Sequence, residues 1–340
     1  MTRRALVIMA AGTMVLAIVG TAWALGPVVL RHQWEAGEEV TWDVNIEMEG
    51  LIVVEDLKVD PPGRQNLDMT VSTATTQLQT IEEVDEDGAA TVLTSTGPIF
   101  VTTDMGMGPV QNILIDPQTG MMTVNGEEVP MPEASRTAVA RIVRRVLSPR
   151  GELLESDASW DASSHMTGGM VMPQQLLSVF QRAPMVFPEG EVGEGYCWAQ
   201  SADLSMFDDA LPEETGLTLP PISYVTSYKI AGFEDLDGVE CVLIEFIGAA
   251  DIEGVVETPM TGEDNEAVNR FGPAHFGLSG TMWFDHAAGR MVREDARVVM
   301  SLVQEIEGRM KQGEEIGDVH TRIGFETLDV TSTSERIDEG

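Results

Sequence analysis

Residues 40–48 read Val40-Thr41-Trp42-Asp43-Val44-Asn45-Ile46-Glu47-Met48. Apolar side chains take every second position, and those between are polar or acidic. A period of two puts the first set on one face of a strand and the second on the other. Such a strand packs on a core with one face and meets water with the other, as in antiparallel sheets. The pattern recurs in Leu67, Met69 and Val71, and in Ile222, Tyr224, Thr226, Tyr228 and Ile230. Val292, Ala296, Val298, Met300, Leu302 and Ile306 outline a long strand, and a last one covers about 319–330. Turn signals separate the runs: Asp87-Gly88, Asp116 to Gly120, Ser148-Pro149-Arg150-Gly151, Asp237-Gly238 and Asp285 to Gly289. Each supplies the residues that reverse a chain between strands. About a dozen strands follow from this reading.

Two segments read as helices. In 133–147, Val139, Ile142, Val143, Val146 and Leu147 follow i, i+3, i+4, i+7, i+8 spacing, an apolar stripe with Arg141, Arg144 and Arg145 opposite. A second helix starts at Pro173 and ends near Arg182 before Ala183-Pro184, with Leu176, Leu177 and Phe180 to bury.

The chain has 340 residues, 43% hydrophobic and 22% charged, a globular composition. Its 20 basic residues against 56 acidic ones give a formal charge of −36, with only Lys58, Lys229 and Lys311 as lysines. That excess repels the phosphates of nucleic acid, so no nucleic-acid partner is expected. Arg3 and Arg4 precede an uncharged run from Ala5 to Leu25 that holds Ala22-Trp23-Ala24, a small-x-small cleavage pattern. Residues 1–24 therefore read as a signal peptide, or as an uncleaved N-terminal anchor that holds the chain at a membrane through residues 5–25; both export the rest. Export permits a disulfide between the two cysteines, Cys197 and Cys241, closing a loop of about 45 residues. Two small buried thiols are the alternative.

Residues 35–42, EAGEEVTW, match 191–198, EVGEGYCW, at Glu, Gly, Glu and Trp. Asp85 to Gly88 matches Asp235 to Gly238, and Ile115-Asp116 to Gly120 matches Phe284-Asp285 to Gly289, in the same order. The ordered set points to two similarly built halves. The expected fold is mainly β: two similar curved antiparallel sheets, incomplete-barrel-like halves, with a short helical insert. The boundaries are 25–130 for the first β unit, 131–183 for a helical connector or lid, and 184–340 for the second unit.

This succession of Trp-bearing strand, Asp-Gly hairpin and apolar D-x-x-x-G hairpin resembles a family of uncharacterised exported bacterial β-proteins. More distantly it is similar to lipoprotein-carrier and lipoprotein-localisation proteins. That resemblance implies an incomplete barrel around an apolar cavity with helices as a lid, and a hydrophobic ligand. It carries over no catalytic residue.

The chemistry-bearing motifs are sparse. No Gly-Lys pair exists for a phosphate loop, and no H-E-x-x-H occurs. Gly277-Leu278-Ser279-Gly280 lacks the G-x-S-x-G spacing of a nucleophile elbow. His275 and His286, eleven apart beside Asp285, are weighed against turn histidines. The D-x-D-G stretch Asp85 to Gly88, counted as a calcium loop with Glu83 as position 1, lacks Glu at the twelfth position, where Thr94 stands, so it reads as a hairpin turn and not as a calcium loop. Methionine is abundant at 20; Met105 and Met107, Met121 and Met122, and His165-Met166 with Met170 and Met172 suit either Cu(I) or an adaptable apolar groove, and the groove is preferred. The arginines at 136, 141, 144, 145 and 150 suit anionic headgroups or the protein's own acidic surface.

The expected function is non-enzymatic: an exported protein holding an apolar ligand, lipid or lipoprotein segment, with no cofactor, no catalytic residue and no metal. The expected ligand-binding residues are Met166, Met170, Met172, Val139, Ile142, Val143 and Phe180. The rivals are an envelope interaction module without a small ligand, and a hydrolase marked by a His–carboxylate–Ser cluster in a cleft.

Overall fold

The computed structural model describes residues 26–106, 108–131, 136, 140, 142–157, 185–203, 223–252, 256–262, 265–312 and 315–337. The first strands are β1 (Val28–Val29), β2 (Glu39–Asp56), β3 (Gly63–Val84), β4 (Ala90–Asp104), β5 (Gln111–Asp116), β6 (Met121–Val124) and β7 (Glu127–Pro130). There follow β8 (Val143–Leu147), β9 (Leu153–Ser156), β10 (Glu191–Val192), β11 (Cys197–Asp203), β12 (Ser223–Leu236) and β13 (Val239–Ile252). The last are β14 (Val256–Gly262), β15 (Asn265–Asp285), β16 (Arg290–Gln312) and β17 (Glu315–Ile337). Among the described residues no helix is long and apolar enough to cross a membrane.

β1 and β10 form a separate two-stranded pair, and the other fifteen strands form one antiparallel sheet. Its main path is β11-β12-β13-β15-β16-β17-β2-β3-β4-β5-β6-β7. The two β units are thus continuous, joined by the β17–β2 ladder that runs from Thr321↔Asp56 to Ile337↔Thr41. This corrects the expectation of two sheets. The matched motifs do fall at matching hairpins. The Asp85 and Asp235 turns close β3–β4 and β12–β13, and the Asp116 and Asp285 turns close β5–β6 and β15–β16. In each turn the aspartate Oδ1 accepts backbone N–H groups, for example those of Asp87 and Ala89 on Asp85, and of Ala287 and Ala288 on Asp285. These carboxylates act as turn caps.

The alternation read from sequence sets the two faces. On β12, Tyr224, Thr226, Tyr228 and Ile230 are buried, and Val225, Ser227 and Lys229 between them are exposed. On β2 the outer set is Glu39, Thr41, Asp43, Asn45, Glu47 and Glu49. The inner faces share clusters across the sheet: Met69 and Val71 of β3 pack in one core with Tyr224 of β12 and Ala250 of β13. Five strands separate β3 from β12 along the path. The sheet therefore curls until its flanks face each other across a common interior. Register shifts at Ile230/Gly232, Phe271/Ala274, Met300/Leu302 and Phe325/Thr327 mark bulges, which bend long strands and increase their twist. One end of the path, β7, carries exposed Glu127, Glu128 and Pro130, charges and a proline that discourage further strand pairing.

A second core seals one end. Leu30, Phe187 and Val192 are fully or nearly fully buried against Ile230, Val242, Ile244 and Phe284. Burying each such side chain contributes about 1.5–3 kcal/mol. The N-terminal segment is tied in by His32 N–H to Pro149 C=O (2.7 Å) and Gln33 N–H to Gly289 C=O (3.0 Å). The Arg31 Nη1–H donates to Pro188 C=O at 2.6 Å.

Residues 143–147 form a strand between β4 and β9, not the last turns of a helix. β5 covers only Ile99–Thr103 of β4, so the Ala90–Thr94 edge is open, and β8 fills it from Leu147 to Val143. Five residues spaced V-R-R-V-L satisfy a helical stripe as easily as a strand, and the vacant hydrogen-bonding edge decides between them. Most of the rest of the expected helix lies outside the described residues; within it the Ala140 N–H donates to Arg136 C=O at 3.1 Å, the i to i+4 bond of a helical turn. The second expected helix, from Pro173 to Arg182, lies outside the described residues, as does most of the connector.

Both cysteines are free, Cys197 exposed and Cys241 buried. Cys197 faces Lys229 of β12, while Cys241 on β13 faces Glu234 of β12 and Asp285 of β15. Two inter-strand steps and four residues of offset separate their Cα atoms by roughly 15 Å on ideal spacings, far beyond the reach of a disulfide. The expected bond is corrected on this register. Burial pushes the Cys241 thiol up to about 11, with Asp285, Asp235 and Glu234 adding to the shift. An aromatic disulfide reagent should therefore titrate one thiol per native chain and two in denaturant. Two fast thiols in the native state would contradict the placement of Cys241.

Gly289 supplies the second test. It has φ +65, and a Cβ there would lie 2.6 Å from Gln33 N and 2.7 Å from Arg31 O. Gly289→Ala should lower stability by about 1–3 kcal/mol in urea unfolding by prising the N-terminal segment off the β15–β16 turn.

Candidate ligand-binding concavity

Among the described residues, the interior of the curled sheet is not filled. Two adjoining cavities, about 250 Å³ and about 190 Å³, share Trp42, Gln79, Met185, Met282 and Met291 in their walls. The larger takes Trp42 and Val44 from β2, Tyr224, Thr226 and Tyr228 from β12, and Phe246 from β13. Leu278 and Met282 come from β15, Met291 and Glu294 from β16, and Ser332 and Ser334 from β17. Strand parity explains these positions. Counting back by twos from buried Met300 and Val298 through Ala296 turns Glu294 inward. Gly280, opposite Phe246 in the ladder, leaves room for the phenyl ring, which a Cβ there would strike.

Trp42 and Trp198 both belong to this inner face, the first buried and the second half-buried. Trp198 stacks on Tyr228 at 5.1 Å between centroids, and its Nε1–H donates to Val186 C=O at 3.1 Å. The Trp42 Nε1–H is buried with no acceptor among the described residues. At the far end His32 stacks on Trp34 at 4.6 Å, and burial pushes its pKa down to about 4.

The charges of the concavity are unequally served. Glu38, in the smaller cavity, pairs with Arg336 at 3.2 Å and Arg290 at 3.8 Å. Arg145 is desolvated, which lowers its pKa, and Asp157 partly offsets this. Glu294 makes no ion pair among the described residues; burial, then the neighbouring Asp295, pushes its pKa up to about 7. Burial raises the phenols too: Tyr224 to about 12, and Tyr228 further, with Tyr224 and Glu294 adding to its shift.

The expected ligand residues are placed only in part. Val139, Met166, Met170, Met172 and Phe180 lie outside the described residues. Ile142 is 56% exposed, and Val143 is half-buried in strand β8; neither lines the two cavities. The methionines that line them are Met185, Met282 and Met291, which no cluster in the sequence announces. The arginines divide. Arg144 pairs with Glu155 at 3.2 Å, Arg150 pairs with Glu189 at 3.1 Å, and Arg145 faces the cavity.

Two other constellations bear on chemistry. Asp251, His275 and Ser301 are cross-strand neighbours on β13, β15 and β16, in an open recess of about 610 Å³. His275 Nδ1 pairs with Asp251, and both side chains are largely exposed. Among the described residues no hydrogen bond joins His275 to Ser301, so the base–nucleophile contact of acyl transfer is missing. Glu305, Glu307 and His320 converge as metal ligands would. The Arg270 guanidinium already sits among them, 2.7 Å from Glu307, 3.3 Å from Glu305 and 2.8 Å from Glu257.

No protein-family model matches the chain, and no curated protein matches it. Among solved structures, an outer membrane channel from Pseudomonas putida F1 aligns at 9% identity and TM-score 0.23, covering 92% of this chain and 100% of that one. A putative outer membrane lipoprotein-sorting protein domain from Vibrio parahaemolyticus aligns at 10% identity and TM-score 0.13, covering 84% of each chain. The Pseudomonas aeruginosa protein OccK5 aligns at 8% identity and TM-score 0.18, covering 90% of this chain and 100% of that one. These are distant similarities, and such scores assign neither fold nor function.

Glu294 yields a pH test. Its folded pKa of about 7 stands above the ordinary glutamate value of 4.5, so the fold favours the protonated form. That contribution is full below the unfolded value and is lost as pH rises through about 7. His32 acts in the opposite sense, losing stability as pH falls from 6.5 towards about 4. Comparison with Glu294→Gln cancels the histidine. The variant should match wild type near pH 5 and exceed it by about 1–3 kcal/mol at pH 8 in urea unfolding. The same offset at both pH values would show that Glu294 does not titrate in this window.

Proposed function

We propose that this chain is an exported, non-enzymatic binding protein of the cell envelope. Its ligand is apolar over most of its length, a lipid or an acylated lipoprotein segment, and lies in the concavity of the curled sheet. The observation that carries this reading is the cavity wall: aromatic rings and three methionines gathered from separated segments around unfilled space. Ligand sites are typically concave, mostly apolar and set with a few polar groups. Met adapts to varied apolar shapes. The buried, unpartnered Trp42 N–H supports the same reading, because a buried donor is costly unless an occupant accepts from it.

The outer face supports a water-borne location. The acidic and hydroxyl side chains of β2 would be costly against acyl chains, and a membrane-spanning barrel has the opposite arrangement, apolar outside and polar inside. Residues 1–24 are the export signal or anchor in this reading, and no chemical step is assigned to the chain.

A fluorescent fatty-acyl ester titrated into the protein should bind saturably and be recovered intact. Ser332→Phe adds a ring to the cavity wall without removing any core side chain. It should weaken binding at least tenfold with little change in melting temperature. Negligible binding by both proteins would leave the envelope interaction module. Ester cleavage abolished by Ser301→Ala would replace the binding reading with hydrolysis.

A further inference from the structure

The binding reading leaves the ligand's polar end unassigned, and the wall of the larger cavity bears on it. Trp42, Tyr224, Tyr228 and Phe246 bring four aromatic side chains to a space that also receives the Glu294 carboxyl. No other carboxyl lines that cavity among the described residues. The contrast with the smaller cavity is informative, because there two arginines of the chain neutralise Glu38. Glu294 is half-buried and opens into the cavity, and the groups acting on it are acidic, Asp295 beside it and the Tyr228 phenol; among the described residues no ion pair joins it to Arg145 on the same wall. A desolvated carboxyl with no cation of its own is costly and would not be expected in a site that receives only hydrocarbon. Aromatic faces carry negative potential and attract ammonium groups, and a carboxylate among them adds a full charge.

We infer that the larger cavity receives an ammonium head group carried on an apolar ligand, with Glu294 as its counter-ion and the four aromatic rings as its walls. The inference rests on the binding reading above and names the class of its ligand. Arg145, on the same wall, disfavours a second positive charge and is balanced by Asp157. The ligand class is therefore a singly charged amphiphile. Binding its head holds Glu294 ionised, so complex formation releases the proton that the empty site retains at neutral pH. Arg145, Tyr224 and Tyr228 are the other titratable groups facing the space; the phenols stay neutral and the guanidinium charged between pH 5 and 8. The pH dependence of head-group binding therefore belongs to Glu294.

The test compares three amphiphiles with one dodecyl chain, each kept below its micelle concentration: dodecyltrimethylammonium, dodecyl maltoside and dodecyl sulfate. Binding is followed by calorimetry at 150 mM salt to screen the protein's overall charge. The cationic probe should bind at least tenfold more tightly than the neutral one and gain affinity from pH 5.5 to 8. Glu294→Gln should erase that preference and its pH dependence while keeping the affinity for dodecyl maltoside. A variant that keeps neutral-probe binding is folded at the site. Equal affinity of wild type for the cationic and neutral probes overturns the head-group inference but leaves the binding reading standing. A preference that survives Glu294→Gln also overturns it, by tracing the attraction to overall charge. Failure of all three probes to bind overturns the binding reading itself.

Discussion

A sheet with one apolar face must bury that face against something. Here, among the described residues, the sheet supplies its own cover. Met69 and Val71 meet Tyr224 and Ala250 from the far flank, so the core is a sheet folded onto itself. Everything else follows from that constraint. The strands must be long, up to 23 residues in β16 and β17, and bulged so that they bend. The flanks meet through side chains and not through a closed ladder, since β11 and β7 remain the two ends of the path. A closed barrel has no edges. This sheet keeps its edges, with the N-terminal segment around Leu30 and the β1–β10 pair sealing one end.

The same constraint explains the unfilled space. Flanks that meet by packing alone need matched side chains along their whole length. Between the core around Met300 and Leu328 and the core around Phe187 and Phe284, they do not match. Serines stand at 332 and 334, glutamines at 77 and 79, and a glutamate at 294, where isoleucine or phenylalanine would fill the gap. Small and polar side chains at inward positions cost apolar contact. Their gathering in one stretch of the interior, between two well-packed cores, is what a retained binding space requires.

Much of the fold was readable from alternation, because a period of two survives whatever a strand packs against. Val40 to Met48 and Tyr224 to Ile230 present the faces their patterns imply, and each Asp-Gly turn closes the hairpin it marks. Residues 143–147 were misread because a five-residue stripe fits two periods, and its partner, the open edge of β4, lies fifty residues upstream. The disulfide failed for a related reason: strand-like surroundings do not give register. The concavity was hardest to see, since its wall comes from strands separated by most of the chain. One signal was present. A charged residue at the inward parity of a strand, as Glu294 is relative to Ala296 and Val298, marks a place where the core is not hydrocarbon.

The Arg270 cluster has a consequence for how β14 to β17 are held together. Glu257, Glu305, Glu307 and His320 lie on β14, β16 and β17, and the guanidinium between them comes from β15. Three strands are thus joined directly by one cation that is covalently part of the chain, and β17 joins them through His320 on Glu305. A free ion in that place would exchange with the medium, so its hold would weaken on dilution or in the presence of a chelator. A tethered guanidinium has an effective concentration set by the polypeptide and cannot be extracted. Nor is it discharged in any pH range where the carboxylates remain ionised. In a protein this acidic, the strands are held together there in a way that needs no mineral supply from the surroundings.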